Sequence, residues 1–527
     1  KRKLEAVLLL LHAQLARATR RAQLAMSEAT PLDPLLERIG YGRGHRSALL
    51  LLGFASACQS VQTNVLGFLM PCAAVTFDVG LQGSALIGAL NLAASCVAAP
   101  LIGLLADHYG RRPAILFTLA LIVAAGVGSA AAPTFWVLCV SQTAMGAALG
   151  GYMPPLCLAT EMAPPSSRGR IVNLSNWFWS AGTVLVVLAG WAAVPFAGWR
   201  LQLAAIVAPT FAVLPWAWSR LRESPLWLLE HGQPDAAADV LQRLASDNGR
   251  PLDAAELKQL RELAAPPKPA APAAASAPAA GAKAAPGSGV AELALAEGYG
   301  YILRSPRLRS IALIHWSMWL LTGFLYQALI FYSTIAFEES ADDEEASLEA
   351  GCAFDYAAEL LIAVAEIPGV LLAHALIDRP CGPGGLLGGR RGTQWLPYAL
   401  CAAATYGMSL RAAVGPTGVL VCGALARFCL SAASSAQYVA APELYPTAVR
   451  STGANTAFFF TLVGGVPAGA FVYSDLPQYA VALGVALSSA LSAALILMLP
   501  ETAASKAAAD KGAEYGTFAE ARRDEPG

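Results

Sequence analysis

The chain has 527 residues, of which 56% are hydrophobic and only 13% charged, and a mean hydropathy of +0.51. A soluble protein of this length splits into several domains and needs far more charge to cover them, so that class is excluded. The net charge of −1 conceals a sharp segregation: apolar residues gather in blocks of roughly 20, the length that crosses a hydrocarbon core. The sequence opens on Lys1 rather than Met, which leaves an upstream targeting segment open.

In chain order, residues 1–46 read as a cytosolic N-terminal segment. Its stretch 4–28 has the pattern of an amphipathic helix with Lys and Arg on one side, suited to touching anionic headgroups of membrane lipids. Six spans follow near 47–70, 84–106, 113–132, 134–159, 171–194 and 199–219, making an N-terminal bundle over 47–219. Residues 220–307 form a cytosolic central loop. Within it, 223–262 shows short amphipathic helical periodicity, and 264–289, almost entirely Ala, Pro, Lys, Gly and Ser, reads as a disordered linker. A second bundle over 308–499 holds spans near 308–332, 355–377, 394–411, 416–441, 453–474 and 478–499, before a cytosolic tail over 500–527. The ninth span is the poorest match, interrupted by Pro397 and ended by Arg411. Each span is helical because lipid offers no partner to a free backbone amide.

Lys and Arg sort between the connections. With the N-terminus cytoplasmic, the even-numbered loops and both tails carry nearly every basic residue, while the opposite side receives only Arg200 and Arg411. This is the asymmetry of the positive-inside rule, and it places both termini inside. The acidic loop 338–349 then faces outside or a lumen, where a solvated face is the plainest reading and concentration of cations a second one. The ten cysteines lie mostly within spans as small apolar residues. Cys72 and Cys352 are the two on the outer side, where a disulfide between them is one option.

An internal repeat gives the architecture. Asp107, Gly110, Arg111 and Arg112 follow the second span; Glu161, Pro164 and Arg168 follow the fourth. In the second half Asp378 and Arg379 follow the eighth span, with Gly389, Arg390 and Arg391 after an apparent insertion, ProCysGlyProGlyGlyLeuLeu. Glu443, Pro446 and Arg450 follow the tenth at the spacing of Glu161, Pro164 and Arg168. The sixth and twelfth spans close on Glu223-Ser224-Pro225 and Pro500-Glu501-Thr502. The fold class is therefore all-α integral membrane, with twelve transmembrane helices in two parallel six-helix repeats and a substrate site between them near mid-membrane.

On these residues the chain resembles the major facilitator superfamily. Gly103, Asp107, Gly110, Arg111 and Arg112 look like its loop motif between helices two and three. ArgGluSerProLeuTrpLeuLeu (222–229) and ProGluThr (500–502) look like marks of its sugar-porter and organic-ion branches. GluIleProGlyVal (366–370) with Asp378-Arg379, AlaSerAspAsnGlyArgProLeu (245–252) and ProGluLeuTyrProThrAlaValArgSerThrGly (442–453) are similar to the synaptic-vesicle-2-related transporters. Leu226 stands where the sugar-porter mark usually has Arg. The resemblance implies a gate: Asp107 would accept hydrogen bonds from a facing helix N-terminus, Arg111 and Arg112 would pair with acids across the interface, Glu161 with Arg168 and Glu443 with Arg450 would form matching networks, and Glu223 and Glu501 are natural partners. Simple positive-inside anchoring is the competing account of the arginines.

Polar residues inside spans are costly unless they face a cavity or a partner. By that test the candidate substrate-binding residues are Gln59, Gln62, Gln142, Asn176, Tyr326, Gln327, Glu359, Glu366, Arg427 and Tyr438. Interhelical packing is an equal reading for any single Gln or Asn. Glu366 and Arg427 stand apart, each about eleven residues from its helix's outer end and so near mid-membrane. Relatives often carry acids where Gln59 and Gln62 stand and Arg where Gln142 stands, so the charged chemistry here lies in the second half. No metal-ligand spacing, nucleophile elbow or phosphate loop stands in a suitable context, and the pattern implies no cofactor, no enzyme and no nucleic acid. The expected activity is secondary active or facilitative transport of a small organic substrate, an organic ion or sugar-like, by alternating access, with a proton or another ion as the coupling partner. The alternative is a receptor or vesicle scaffold that kept the fold without transport, in a plasma, vesicle or organelle membrane.

Overall fold

The computed structural model describes residues 32–164, 168–263, 299–336, 352, 354–377, 379, 387–445 and 449–501. The segment 4–28, the linker 264–289, the acidic loop 338–349, Asp378, Pro446 and the tail beyond Glu501 lie outside the described residues, as do the side chains of Arg168 and Arg450.

Among the described residues, nine helices are long and apolar enough to cross a membrane, and twelve crossings result once three irregularities are resolved. The fifth and sixth spans run as one helix, Arg168–Arg220, reversed at Ala197 and Gly198, where Gly198 adopts φ 73°. The fourth span is broken at Gly150–Tyr152 between Phe135–Leu149 and Met153–Glu161. The ninth, Gly389–Met408, is the more polar one. The remaining spans are the first (Arg43–Asn64 and Leu66–Thr76), second (Gly80–Tyr109), third (Arg111–Ala130), seventh (Pro306–Ala336), eighth (Tyr356–Val364 and Glu366–Leu376), tenth (Arg411–Ala440), eleventh (Arg450–Gly465 and Ala468–Val472) and twelfth (Gln478–Leu497).

Most span ends shift by a few residues from expectation, and the shifts in the first and ninth spans are instructive. The first span is longer at both ends. The ninth starts about a turn and a half earlier than residue 394, taking Arg390 and Arg391 into its first turn. Read as loop charges, they shortened the expected span. Arg390 is in fact buried, because acids on neighbouring segments neutralise it. Arg411 belongs to a short turn that Gly415, at φ 69°, reverses into the tenth span at Pro416.

The central loop forms three short helices, Pro225–Glu230, Pro234–Asp247 and Ala254–Leu263. They pack with the helix Asp33–Ile39 through an apolar seam that includes Leu32, Leu36, Leu241 and Leu244. Asn248 clasps the junction, accepting from Gly44 N at 2.9 Å and donating to Gly40 O at 2.8 Å. This layer covers the face that carries the Arg-rich loops, here called the basic face.

The two bundles meet most extensively toward the opposite face: first span against seventh, second against eleventh, fifth against eighth. Phe68 of the first span packs on Phe354 and Tyr356 at 5.1 and 6.0 Å. Cys72 and Cys352 form a disulfide there, with Cα atoms 4.6 Å apart. The bridge is covalent closure between halves 280 residues apart in sequence.

Candidate transport site and its gates

Each half carries the same charged cluster on the basic face. In the first half Arg111 pairs with Glu161 at 3.0 Å and donates to Ala106 O at 3.0 Å. Glu223 accepts from the backbone amides of Arg111 (2.9 Å), Arg112 (3.1 Å) and Ser224 (2.8 Å), so it caps the third span. Arg112 donates to Trp218 O at 2.8 Å. In the second half Arg390 pairs with Glu443 at 2.8 Å and donates to Ile377 O at 2.7 Å. Glu501 accepts from Arg390 N at 3.0 Å and Arg391 N at 2.9 Å, and Arg391 donates to Leu497 O at 2.5 Å. The bonded carbonyl lies 5 residues before Arg111 but 13 before Arg390, and the ProCysGlyProGlyGlyLeuLeu insertion accounts for the difference.

The third and ninth spans begin with free amides and a positive dipole end, which a carboxylate satisfies. Gly110 (φ 109°) and Gly389 (φ 70°) leave space for it: a Cβ on Gly110 would overlap the Glu223 carboxylate, and one on Gly389 would lie 2.9 Å from Glu501 Oε2. The capping acid is therefore Glu223, not Asp107. Asp107 instead pairs with Arg111 at 3.0 Å while remaining 72% exposed. Its backbone carbonyl accepts from Trp227 Nε1 at 2.8 Å, tying the central-loop layer to the cluster. Gly103 faces open space, and Arg379 is exposed.

A cavity lies between the halves at mid-depth, with an empty volume of about 1090 Å³ that includes space open to solvent. Of the residues expected at the site, Gln59, Asn176, Tyr326, Gln327, Glu366, Arg427 and Tyr438 line it; Gln62, Gln142 and Glu359 do not. Gln142 is occupied within the first half, accepting from Asn91 at 3.2 Å and donating to Ser129 at 3.1 Å. Gln62 is buried in the first span. Glu359 lies two turns from Glu366, toward the opposite face.

The centre of the cavity is an ion pair: Arg427 Nε stands 3.0 Å from Glu366 Oε1, with both side chains buried. Arg427 Nη2 donates across the halves to Asn64 Oδ1 at 3.0 Å, and its guanidinium lies 5.3 Å from the centre of the Tyr326 ring. Ser180 and Thr183 of the fifth span also touch Glu366. A second bond across the halves runs from Trp179 Nε1 to Tyr326 Oη at 2.7 Å. Toward the basic face the cavity narrows on an aromatic layer. Tyr152 stacks on Phe458 at 5.6 Å, meets Trp179 at 5.4 Å and approaches Tyr438 at 6.3 Å. Six buried polar atoms of wall residues carry no hydrogen-bond partner among the described residues: Gln59 Oε1, Asn176 Nδ2, Gln327 Oε1, Arg427 Nη1, Gln437 Nε2 and Glu366 Oε1, the last of which stands only in its ion pair with Arg427. Buried polar groups are rarely left so, and besides the Glu366 carboxylate they offer a solute three donors and two acceptors.

Tyr152 and Phe458 escaped the residue-by-residue search. Tyr152 had a usable signal, since Gly150-Gly151 and Pro154-Pro155 interrupt a spanning helix, and interrupted helices mark transport sites.

Two six-helix repeats around a partly desolvated central cavity, closed covalently toward one face, define a membrane solute transporter. Comparison with known proteins agrees. The family model "Sugar (and other) transporter" matches residues 48–267. Organic cation/carnitine transporter 7 of Arabidopsis thaliana is 25% identical over 445 residues, 82% of this chain and 86% of that protein. The synaptic vesicle 2-related protein of Xenopus laevis is 26% identical over 452 residues, 82% and 74%. The fold matches the xylose transporter XylE of E. coli in a partially occluded inward-open conformation, with a TM-score of 0.65 at 15% identity over 87% of this chain and 98% of that one. The chain is a multi-pass membrane solute transporter with the fold of XylE, and it is similar in sequence to sugar, organic-cation and synaptic-vesicle-2-related transporters.

Proposed function

We propose that the protein moves a small organic ion by alternating access, binding it between Arg427 and the aromatic wall, with proton coupling through the buried carboxylates. The observation that supports this reading is Arg427 itself. Its Nε and Nη2 are held by Glu366 and Asn64, while Nη1 is buried without a partner on the cavity wall. A planar guanidinium fixed on two edges presents its third edge to a carboxylate with little further loss of freedom. The flat wall of Trp179, Tyr326 and Tyr438 suits an apolar or aromatic body. Names among the relatives, which include organic cation and carnitine transport, support the organic-ion class. The basic face is the cytoplasmic one in this reading, from the Lys/Arg asymmetry, with both termini there. The gating clusters brace the cytoplasmic ends of the third and ninth spans, and the aromatic layer is the thin gate below the cavity.

Uptake of a labelled library of small carboxylates, amines and sugars into proteoliposomes tests this. Carboxylates entering above background in wild type, and not in Arg427→Lys, is the expected result. Transport confined to neutral sugars would overturn the organic-ion reading.

A further inference from the structure

The eighth span carries three carboxylates: Asp355 at its N-cap, then Glu359 and Glu366. They follow one another at four and seven residues, rotations of about 40° and then 20° from Asp355 once whole turns are removed. All three therefore lie on one side of the helix. They descend from the face opposite the basic loops into the cavity over about 16 Å. Ala365 between the two helical stretches stays in helical conformation (φ −63°, ψ −17°), so the line is not broken.

The members differ in what surrounds them. Asp355 sits at the rim, capping the helix by accepting from Ala357 N at 3.1 Å and Ala358 N at 2.9 Å. Glu366 faces Arg427. Glu359, between them, is 6% exposed. One oxygen is 3.5 Å from the Ser333 hydroxyl and the other has no partner. The charged groups near it are Arg427 from the tenth span and Asp355 from its own helix. The seventh span brings Ser333 and no charge, and the fifth, between Asn176 and Val194, has no ionisable residue. Two buried carboxylates thus share one guanidinium that Glu366 already engages. A second uncompensated negative charge in a desolvated interior is strongly unfavourable, whereas a proton on Glu359 removes it.

We propose that Glu359 is the proton-carrying group of this transporter, loaded from the face opposite the basic loops through Asp355 and discharged into the cavity at Glu366. This rests on the transport reading above. In the step, a proton from water at that face moves onto Asp355 and then onto a Glu359 oxygen. Transfer to Glu366, about 10 Å further along the helix, needs an intervening water. Protonation of Glu366 breaks its ion pair with Arg427, which frees the guanidinium for an anionic solute. The proton leaves Glu366 for water once the basic face opens. The neutral Gln59, Gln62 and Gln142 of the first half take no part.

Infrared difference spectra of the purified full chain between acid and alkaline buffer read this without a substrate. A carboxylic-acid carbonyl band that titrates in wild type is expected to vanish in Glu359→Gln and to persist in Asp355→Asn. In proteoliposomes, Glu359→Gln is expected to lose accumulation driven by a pH gradient. Should the Gln variant not fold, Glu359→Asp should shift the band rather than remove it. A titrating band indifferent to every change at residue 359, or the absence of any such band, overturns the proposal. Neither outcome touches solute uptake, so a failure here is distinct from a failure of the organic-ion reading.

Discussion

The two halves agree at the basic face and differ at mid-membrane. At the face, Arg111, Glu161 and Glu223 are matched bond for bond by Arg390, Glu443 and Glu501. At mid-depth, the first half offers amides and hydroxyls, Gln59, Asn64, Asn176 and Ser180, while the second holds Glu359, Glu366 and Arg427. A gate must act on both halves alike, because each bundle has a third or ninth span whose free amides need an anion. The cavity is under no such demand, and one half can hold the charges if the other solvates them. Asn64 does this when it accepts from Arg427 across the interface.

The comparison is broken most severely at Arg427. Arg427→Met leaves Glu366 buried beside an apolar side chain, and removing one member of a buried pair costs about 3–5 kcal/mol. Thermal unfolding in detergent should show a large drop for this variant, with most of it restored in Arg427→Met/Glu366→Gln, because the double change removes both charges. Equal midpoints for the single and double variants would mean that the pair is solvated and carries no burial cost.

The duplicated gate makes a subtler demand. Glu223→Gln and Glu501→Gln each weaken charge-assisted bonds to amides at a helix start, a loss of about 1.5–3 kcal/mol. The two midpoints should fall by similar amounts. A fall in only one would show that the matched geometry does not reflect matched energetics. The smallest effect is expected at Asp107. Its exposed pair with Arg111 is worth about 0–1 kcal/mol, so Asp107→Asn should leave the midpoint almost unchanged. Its effect belongs to the balance between open states, read by cysteine accessibility on the two faces.

Much of this was legible in the sequence because the bilayer punishes exceptions. All twelve spans were legible as apolar blocks, with shifted ends, and the repeat of Glu161 and Glu443 placed the two bundles in register. Glu366 and Arg427 were conspicuous because charge at mid-membrane needs a reason. The misreadings share one cause, contacts that local pattern cannot carry. Arg390 looked like a loop cation because the acids that bury it lie 53 and 111 residues away. Asp107 looked like the capping acid because it is near the third span in sequence, while Glu223 reaches that helix from the far end of the sixth. Gln142 looked like a cavity residue until Asn91 and Ser129 claimed its amide.

The disulfide has a mechanical meaning. Cys72 lies about a turn from the end of the first span, and Cys352 stands three residues before Asp355, where the eighth span begins. Three residues pay out about 10–11 Å when fully extended. The bridge is therefore a short leash between the bundles, on the face that must part when the cavity turns toward it. While it is intact, the mouth on that side can widen by no more than the leash allows. Such a limit would favour a small solute over a bulky one, and it would be set by neither the cavity nor the gates.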